Sequence, residues 1–330
     1  MTLPRKALIS IEDTPYYHCV SRCVRRAFLC GVDSFSGNSY EHRRDWLETE
    51  LLKLPQIFCI EVAAYAVMHN HYHVVLHIND TKAKALSARE VIERWHLLFK
   101  GNLLSQRYLA GDLSAAEMDA LNSIVEEWRK RLCSISWFMK LLNEKIAREA
   151  NQEDECDGRF WEGRFKSQAL LDEKALAACM AYVDLNPIRA SIAKTPEQSD
   201  FTSIKKRIHK AKKAKAPSAI SQQEPTLMPF VGNPRKDMPE GIPFKLDDYL
   251  RLVDWTGRMI REDKRGAIPD NLPPILDRLN IDAKHWLNSC QHFETQFKSF
   301  VGTESKIKTL LGKLNQKSCH GIHNCQRVFS

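Results

Sequence analysis

The sequence predicts an α+β fold: a ferredoxin-like, split β-α-β antiparallel sheet with a helical insertion, followed by a small helical C-terminal domain. Three patterns support this prediction. Residues 16–78 indicate the order strand, helix, strand, strand; residues 87–157 have helical periodicity; and residues 158–186 indicate one more strand and helix. Without the 87–157 insertion the order is that of a split β-α-β sheet, and we expect its helices on one face.

The first three strands have the clearest patterns. Residues 16–22 alternate in polarity and are predicted to form the first strand, which should continue into residues 25–30. A helix is predicted over 40–54, where apolar residues share one face and Pro55 should end it. Strands are predicted over 57–68 and 71–78, and the two residues between them should form a tight hairpin turn.

Capping signals divide the helical insertion. Ser87 and Glu90 have the spacing of a capping box, and Ser114 and Glu117 repeat it, so a helix should begin at each pair. A third helix is predicted over 136–150, where apolar residues recur at helical spacing.

The end of the predicted sheet and the domain boundaries follow from breakers and composition. A helix beginning near 173 should end near 186, because Pro187 restricts the residue before it. We expect a first domain over 1–204, a basic and then Pro-rich linker over 205–243, and the helical C-terminal domain over 244–330.

The charge distribution indicates a polyanionic partner. The formal net charge is +8, and one run supplies most of it. Its basic residues, with no acid among them, are Lys205, Lys206, Arg207, Lys210, Lys212, Lys213 and Lys215. Such a run attracts phosphates, so nucleic acid is the expected partner class.

Other features exclude several classes of protein. No apolar run reaches the roughly 18 residues of a spanning helix, and the N-terminus lacks an apolar signal core. We therefore expect a cytoplasmic protein without a membrane partner. No phosphate-binding loop is present, so we expect no nucleotide cofactor. The ten cysteines include no Cys-x-x-Cys pair and are expected to be reduced.

His71 and His73 are candidate metal ligands. Because side chains alternate along a strand, both imidazoles should point to one face and Tyr72 to the other. Two imidazoles on a rigid strand can bind a divalent cation, although a third ligand is needed. The alternative interpretation is a pair of half-buried strand histidines, each satisfied by a hydrogen bond.

Tyr182 and Asn186 can complete this site. They are four residues apart on a predicted helix and should share one face. The Asn186 amide oxygen offers the third ligand, and Tyr182 offers a nucleophile one turn away. Two nitrogens and one oxygen, with positions left for phosphate oxygens, suit Mg²⁺ or Mn²⁺.

Three segments resemble the REP-associated and insertion-sequence-200-like single-tyrosine transposases of the HUH endonuclease superfamily. Residues 67–73, Val-Met-His-Asn-His-Tyr-His, resemble that family's Met-Pro-Asn-His-hydrophobic-His hairpin, with His69 in place of the proline. Residues 161–167, Trp-Glu-Gly-Arg-Phe-Lys-Ser, resemble its Trp-x-x-Arg-Phe stretch before the last strand. Residues 182–190, Tyr-Val-Asp-Leu-Asn-Pro-Ile-Arg-Ala, resemble its nucleophile motif, and the resemblance covers roughly residues 1–205.

This resemblance implies a metal-dependent transposase or nickase that cleaves and rejoins single-stranded DNA at hairpin or palindromic repeats. Tyr182 would attack a phosphodiester and form a 5′-phosphotyrosine, and Mg²⁺ or Mn²⁺ on His71, His73 and Asn186 would polarise the phosphate. The candidates for contacts with single-stranded or hairpin DNA, by stacking or phosphate pairing, are Arg22, Trp161, Arg164, Lys166 and Arg189.

Other functions compete with this one. The same scaffold could bind structured DNA without turnover, as a regulatory protein. A zinc hydrolase could use His71, His73 and His77, which share the predicted strand face. A tail cluster could also chelate zinc, although its spacing matches no standard finger: Cys319, His320, His323 and Cys325. The sequence leaves open whether the protein is a monomer or a homodimer.

Overall fold

The structure is a computed structural model that describes residues 10, 12–24, 29–33, 37–261 and 272–329. Its strands are β1 (Tyr16–Arg22), β2 (Ile60–Val67), β3 (His71–Ile78), β4 (Lys166–Leu170) and β5 (Phe300–Val301). Its α-helices are α1 (Arg43–Ile57), α2 (Asp80–Ala85), α3 (Ala88–His96), α4 (Leu103–Ala110), α5 (Ala115–Leu132), α6 (Ile135–Glu153), α7 (Glu173–Asp184), α8 (Asn186–Arg189), α9 (Ser203–Lys213), α10 (Leu246–Ile260), α11 (Pro274–Leu279), α12 (Ala283–Gln296), α13 (Glu304–Lys313) and α14 (Ile322–Phe329). Two short 3₁₀ helices span Pro196–Gln198 and Ile220–Gln222.

The predicted α+β class is confirmed, and the strands form one sheet in the order β2-β3-β1-β4-β5. The first four strands pair antiparallel, and β1 and β2 lie on either side of β3. The sheet is nevertheless mixed, because β5 pairs parallel with β4. β5 is not predicted from the sequence, since a strand of two residues has no readable alternation.

Helices cover both faces of the sheet, so the expectation that they lie on one face is wrong. The ring of Tyr182 on α7 lies 5.6 Å from the His73 ring, between centroids. On α1, Glu48 accepts a 2.5 Å hydrogen bond from the hydroxyl of Tyr65, which pairs with Val74 of β3. Val74 and His73 are consecutive in β3 and point to opposite faces. An antiparallel sheet can leave one face to water, but β3 is buried on both.

The helix boundaries follow the predicted caps with one exception. The capping box at Ser87 and Glu90 is present, and the Glu117 carboxylate accepts a 3.0 Å hydrogen bond from the Ser114 amide. Pro55, however, does not end α1, which continues to Ile57. The helical turn survives because the Phe58 amide donates to the Leu54 carbonyl at 2.9 Å. No helix among the described residues is long and apolar enough to cross a membrane.

The segment 205–243, which was predicted to be a linker, packs against the sheet. The basic run forms most of α9, and Arg207 is only 1% exposed. Its guanidinium donates to the carbonyls of Ala63 and Met228, at 2.9 and 3.0 Å. The Met228 amide donates to the Val62 carbonyl at 2.8 Å, which joins this segment to the edge strand β2. A buried arginine is therefore not part of any polyanion track.

Residues 244–329, where described, are mainly helical, as the pattern predicts, and they also extend the sheet. The Ala169 and Leu171 amides of the β4 region donate to the Ser299 and Val301 carbonyls, each at 2.8 Å. The ring of Phe293 on α12 lies 5.4 Å from that of Tyr182 on α7. The C-terminal segment thus contributes a strand to the sheet and an aromatic ring, that of Phe293, to the candidate site.

Candidate active site

The β2–β3 hairpin fixes both candidate histidines on the face that α7 covers. The Met68 amide donates to the His71 carbonyl at 2.9 Å and closes the predicted turn. In the register of β1 and β3, His71 lies opposite Arg22 and His73 lies opposite Val20. The centroids of the two imidazole rings are 4.8 Å apart. The sequence-predicted pair is therefore brought together on a central strand.

A third histidine, His18, belongs to the same cluster and was missed by the sequence analysis. Its Nε2 lies 3.0 Å from the Nδ1 of His73, and the two ring planes are nearly parallel, 12° apart, with centroids separated by 5.2 Å. On its other side, His18 Nδ1 lies 2.6 Å from Gln168 Oε1 on β4. Alternation places His18 on one face of β1, but only the pairing with β3 and β4 reveals its partners.

Tyr182 lies against this cluster. Helix α7 begins at Asp172, whose carboxylate accepts a 2.9 Å hydrogen bond from the Ala175 amide. Tyr182 is 3% exposed, and its ring meets the His73 ring edge-on at 5.6 Å. The Arg189 guanidinium carbon lies 4.1 Å from the Tyr182 ring centroid. The candidate nucleophile is thus held between imidazoles and a permanent cation.

Electrostatics at the site follow from burial and from Arg189. Burial raises the pKa of the Tyr182 phenol, and the positive charge of Arg189 opposes that rise. Burial lowers the pKa of His71 to about 4 and holds the pKa of His73 well below its usual range. Both imidazoles are therefore neutral at pH 7, which is the form that binds metal ions.

Asn186 lies at the start of α8, directly after Leu185, whose φ and ψ of −91° and 4° end α7. It is 5% exposed, and its amide nitrogen is buried without a hydrogen-bond partner among the described residues. An amide flip exchanges the positions of the nitrogen and the oxygen, so the same side chain can present its oxygen at the position of this unpartnered nitrogen. The role of Asn186 as a metal ligand stays a prediction.

The donor set fits a divalent cation. The Nε2 atom of His73 is buried and has no hydrogen-bond partner among the described residues. A buried imidazole nitrogen left open in this way is an available ligand. His71 and Asn186 could add a nitrogen and an oxygen, a combination that Mn²⁺ and Mg²⁺ accept with phosphate or water oxygens.

The structure does not support the zinc hydrolase built on His71, His73 and His77. His77 Nδ1 instead lies 3.0 Å from a Glu61 carboxylate oxygen, and its ring packs against Tyr16. Four residues along a strand separate His77 from His73 by about 13 Å. Within the described parts of the chain, no three His, Cys, Asp or Glu side chains form a metal-holding group.

The absence of a metal-holding group also applies to the tail cluster, since the structure describes all four of its residues. Cys319, His320, His323 and Cys325 do not gather into a metal-holding group. His323 Nδ1 lies 3.0 Å from Gln326 Oε1, and Cys325 is buried in the core. The short chain spacing therefore does not produce a zinc site here.

The candidate DNA contacts differ in exposure. Arg22, Arg164 and Lys166 are exposed, and the register of β1 and β4 pairs Lys166 with Val20, two residues from Arg22. Arg189 is half-buried over Tyr182. These basic side chains can meet phosphates in the present conformation.

Trp161 is a packing residue, contrary to the prediction that it stacks on DNA. It is 8% exposed, and its indole N–H donates to the Asn143 carbonyl at 2.7 Å. Its ring meets Tyr72 edge-on at 5.7 Å, on the sheet face opposite His73. An indole buried on that side cannot stack on a base at the site.

The basic run of α9 is partly neutralised by neighbours. The Lys206 ammonium lies 3.0 Å from a Glu48 carboxylate oxygen, and Lys205 forms an ion pair with Asp200. Lys212, Lys213 and Lys215 are exposed. The run therefore offers fewer free charges than its sequence indicates.

No protein-family model and no curated protein sequence matches the chain. A solved structure of a REP-associated tyrosine transposase bound to a REP hairpin is similar to it. The sequences are 11% identical, the match covers 73% of this chain and 98% of the other, and the TM-score is 0.34. A match at this level does not bear on function, so the proposal below depends on the chain's own residues.

Proposed function

We propose that this protein is a metal-dependent single-stranded DNA transposase or nickase that acts at hairpin or palindromic repeats. The observation that carries the proposal is the contact of Tyr182 with His73 on one side and Arg189 on the other. The strand order β2-β3-β1-β4 is compatible with the ferredoxin-like sheet expected for the HUH superfamily, which supports the proposal. The segments that resemble that family supply the residues of this contact.

In the proposed reaction the Tyr182 hydroxyl oxygen attacks the phosphorus of a phosphodiester. The bond from phosphorus to the 3′ oxygen breaks, the phenol loses its proton, and the departing oxygen gains one. The products are a 5′-phosphotyrosine and a free 3′-hydroxyl, and rejoining is the reverse step. The bond energy is conserved, so no nucleotide cofactor is required.

The chain's own residues hold the reacting groups. Arg189 stabilises negative charge on the phenol oxygen and on the scissile phosphate. A Mg²⁺ or Mn²⁺ ion bound by His71, His73 and Asn186 would polarise the phosphate. Arg22, Arg164 and Lys166 would hold the flanking strand by its phosphates. Burial of Tyr182 excludes bulk water from the linkage once it forms.

The direct test is an adduct assay on a denaturing protein gel. Purified protein is mixed with hairpin-bearing oligonucleotides and Mn²⁺ or with a chelator. We expect a metal-dependent shifted band that Tyr182→Phe abolishes, because this change removes only the attacking oxygen. Tyr72→Phe is the matched control, since Tyr72 points to the opposite face of the sheet. An adduct that persists in Tyr182→Phe would contradict the proposal.

A second function is favoured by one observation, the burial of Tyr182 beneath Phe293. A nucleophile that stays covered would leave a protein that binds structured DNA without cutting it. Under this alternative, wild-type protein and Tyr182→Phe bind hairpins equally, and neither forms an adduct with any metal.

A further inference from the structure

A chain of hydrogen bonds crosses the sheet and ends at His73. It begins at the Phe297 carbonyl, which accepts a 2.7 Å hydrogen bond from Gln168 Nε2. A backbone carbonyl can only accept, so the Gln168 amide must direct its nitrogen there and its oxygen toward His18. The direction of the whole chain is therefore set by a backbone group of the C-terminal segment.

The protons of both imidazoles follow from this direction. Gln168 Oε1 can only accept, so the nitrogen 2.6 Å away, His18 Nδ1, carries a hydrogen. A neutral imidazole has one N–H, and His18 Nε2 is then an acceptor. At 3.0 Å it faces His73 Nδ1, which must donate. His73 therefore has its hydrogen on Nδ1 and a lone pair on Nε2.

The chain stops at an open end beside the nucleophile. His73 Nε2 is the buried nitrogen without a partner among the described residues, and the Tyr182 ring lies against the same imidazole. A purely structural pair of buried histidines would be expected to satisfy both ends of its chain. Here the far end is anchored on a carbonyl, and the near end is an unused acceptor.

We propose that His18 and Gln168 are positioning residues that hold His73 as the Nδ1–H tautomer and direct its Nε2 lone pair at the metal. His18 and Gln168 are directly opposite in the β1–β4 register, so the sheet itself keeps them in contact. This inference deepens the proposed function and rests on it for the role of the metal. Outer partners of this kind orient metal-binding histidines and raise their affinity for the ion.

The tautomers can be measured in metal-free protein without DNA. We expect ¹⁵N imidazole NMR spectra of wild-type protein to show His18 and His73 as Nδ1–H tautomers, with an unprotonated Nε2 on each. Assignment by His18→Phe and His73→Phe identifies the signals. Observation of His73 as the Nε2–H tautomer would overturn the inference, whatever the protein does to DNA.

Metal affinity tests the consequence. Gln168→Leu removes the acceptor for His18 Nδ1–H and should weaken Mn²⁺ binding, measured by calorimetry, by about 10- to 100-fold. Gln168→Glu keeps an acceptor and should stay much closer to wild type. His77→Gln is the matched control, because His77 pairs with Glu61 outside the chain of bonds. Amide NMR spectra establish that each variant is folded.

The outcomes separate this inference from the proposed function. If Gln168→Leu and Gln168→Glu bind Mn²⁺ as wild type does, or weaken it equally, the positioning role is wrong. If the tautomers and affinities are as expected but no adduct forms on hairpin DNA, the positioning role of His18 and Gln168 is supported and the proposed transposase reaction is wrong. If wild-type protein binds no Mn²⁺, the metal-directed part of the inference fails.

Discussion

At the scale of single residues, Tyr182 is under two opposed influences. Burial favours the neutral phenol, whereas the Arg189 guanidinium favours its negative form. The balance makes Arg189 the side chain on which the attack should depend most strongly after Tyr182 itself. It also contacts the nucleophile directly, with its guanidinium carbon 4.1 Å from the ring centroid.

We predict that Arg189→Gln slows adduct formation at least about tenfold, because the guanidinium no longer stabilises the negative charge that develops on the phenol oxygen and the phosphate. A tenfold loss in rate corresponds to about 1.4 kcal/mol of lost transition-state stabilisation. Single-turnover kinetics with a hairpin oligonucleotide measure this rate. The control is Arg258→Gln, which replaces an exposed arginine paired with Asp254 at 2.8 Å. An unchanged rate in Arg189→Gln would show that Arg189 has no role in the chemistry.

We predict that Trp161→Phe lowers the free energy of unfolding by about 1–3 kcal/mol, from the lost hydrogen bond and poorer packing. Chemical denaturation measures this loss. Hairpin affinity should change less than about twofold, because the indole is buried on the far face of the sheet. A large loss of affinity at unchanged stability would restore Trp161 as a DNA contact.

Some site residues could be predicted from the neighbouring sequence, and others could not. His71, His73 and Tyr182 could be predicted because strand alternation and short motifs lie within a few positions of sequence. His18 and Gln168 could not, since their partnership depends on a pairing across 150 residues. The interpretation of Trp161 failed because a motif position does not reveal which face of the sheet a side chain covers.

At the scale of elements, Asp184 joins three helices behind the site. It lies at the end of α7 and accepts hydrogen bonds from the Ser203 hydroxyl, the Ile204 amide of α9 and the Tyr249 hydroxyl of α10. Burial raises the pKa of Asp184 to about 6, and these donors counteract that rise. The helix that carries Tyr182 is thereby tied to both segments that follow it.

We predict that Tyr249→Phe lowers the free energy of unfolding by about 1.5–3 kcal/mol, because a buried carboxyl group loses one donor. The bond removed is 2.6 Å long. Tyr16→Phe is the comparison, since it removes a 3.2 Å bond to the neutral Gly241 carbonyl and should cost about 1 kcal/mol or less. Equal losses in urea denaturation would contradict the importance of Asp184.

Element prediction succeeded where the pattern was local and failed where tertiary contacts decide. The bounds of β3 agree with the predicted strand 71–78, and β1 covers the predicted 16–22. Residues 25–28 of the predicted continuation of β1 lie outside the described residues. Helix α1 continues past Pro55 because a proline near the last turn removes only one backbone donor. The Phe58 amide still donates to the Leu54 carbonyl and completes that turn. β5 exists only because β4 offers it an edge, which no short-range pattern encodes.

At the scale of the whole molecule, the positive charges behind the net charge of +8 are not equally available to a ligand. Arg207 is buried in the core, and Lys205 and Lys206 have acidic partners. Among the described residues, Arg22, Arg164 and Lys166 are exposed cations in or next to β1 and β4. Binding of hairpin DNA should depend on these few charges more than on the total.

We predict that Arg164→Gln reduces the steepness of log Kd against log salt concentration by about 0.7–0.9, the contribution of one neutralised phosphate. Fluorescence anisotropy with a labelled hairpin across a salt series measures this slope. Arg258→Gln should leave it unchanged. An identical slope in Arg164→Gln would place the DNA elsewhere on the surface.

The proposed reaction attaches Tyr182 covalently to DNA, and peptide mass spectrometry can detect that attachment. Protein is incubated with hairpin DNA and Mn²⁺, digested with nuclease and protease, and searched for a peptide carrying a nucleotide phosphate. We expect this modification on Tyr182 alone, and its loss when a chelator replaces the metal. Attachment at another residue, or tight hairpin binding with no modified peptide, would contradict the proposed tyrosine mechanism.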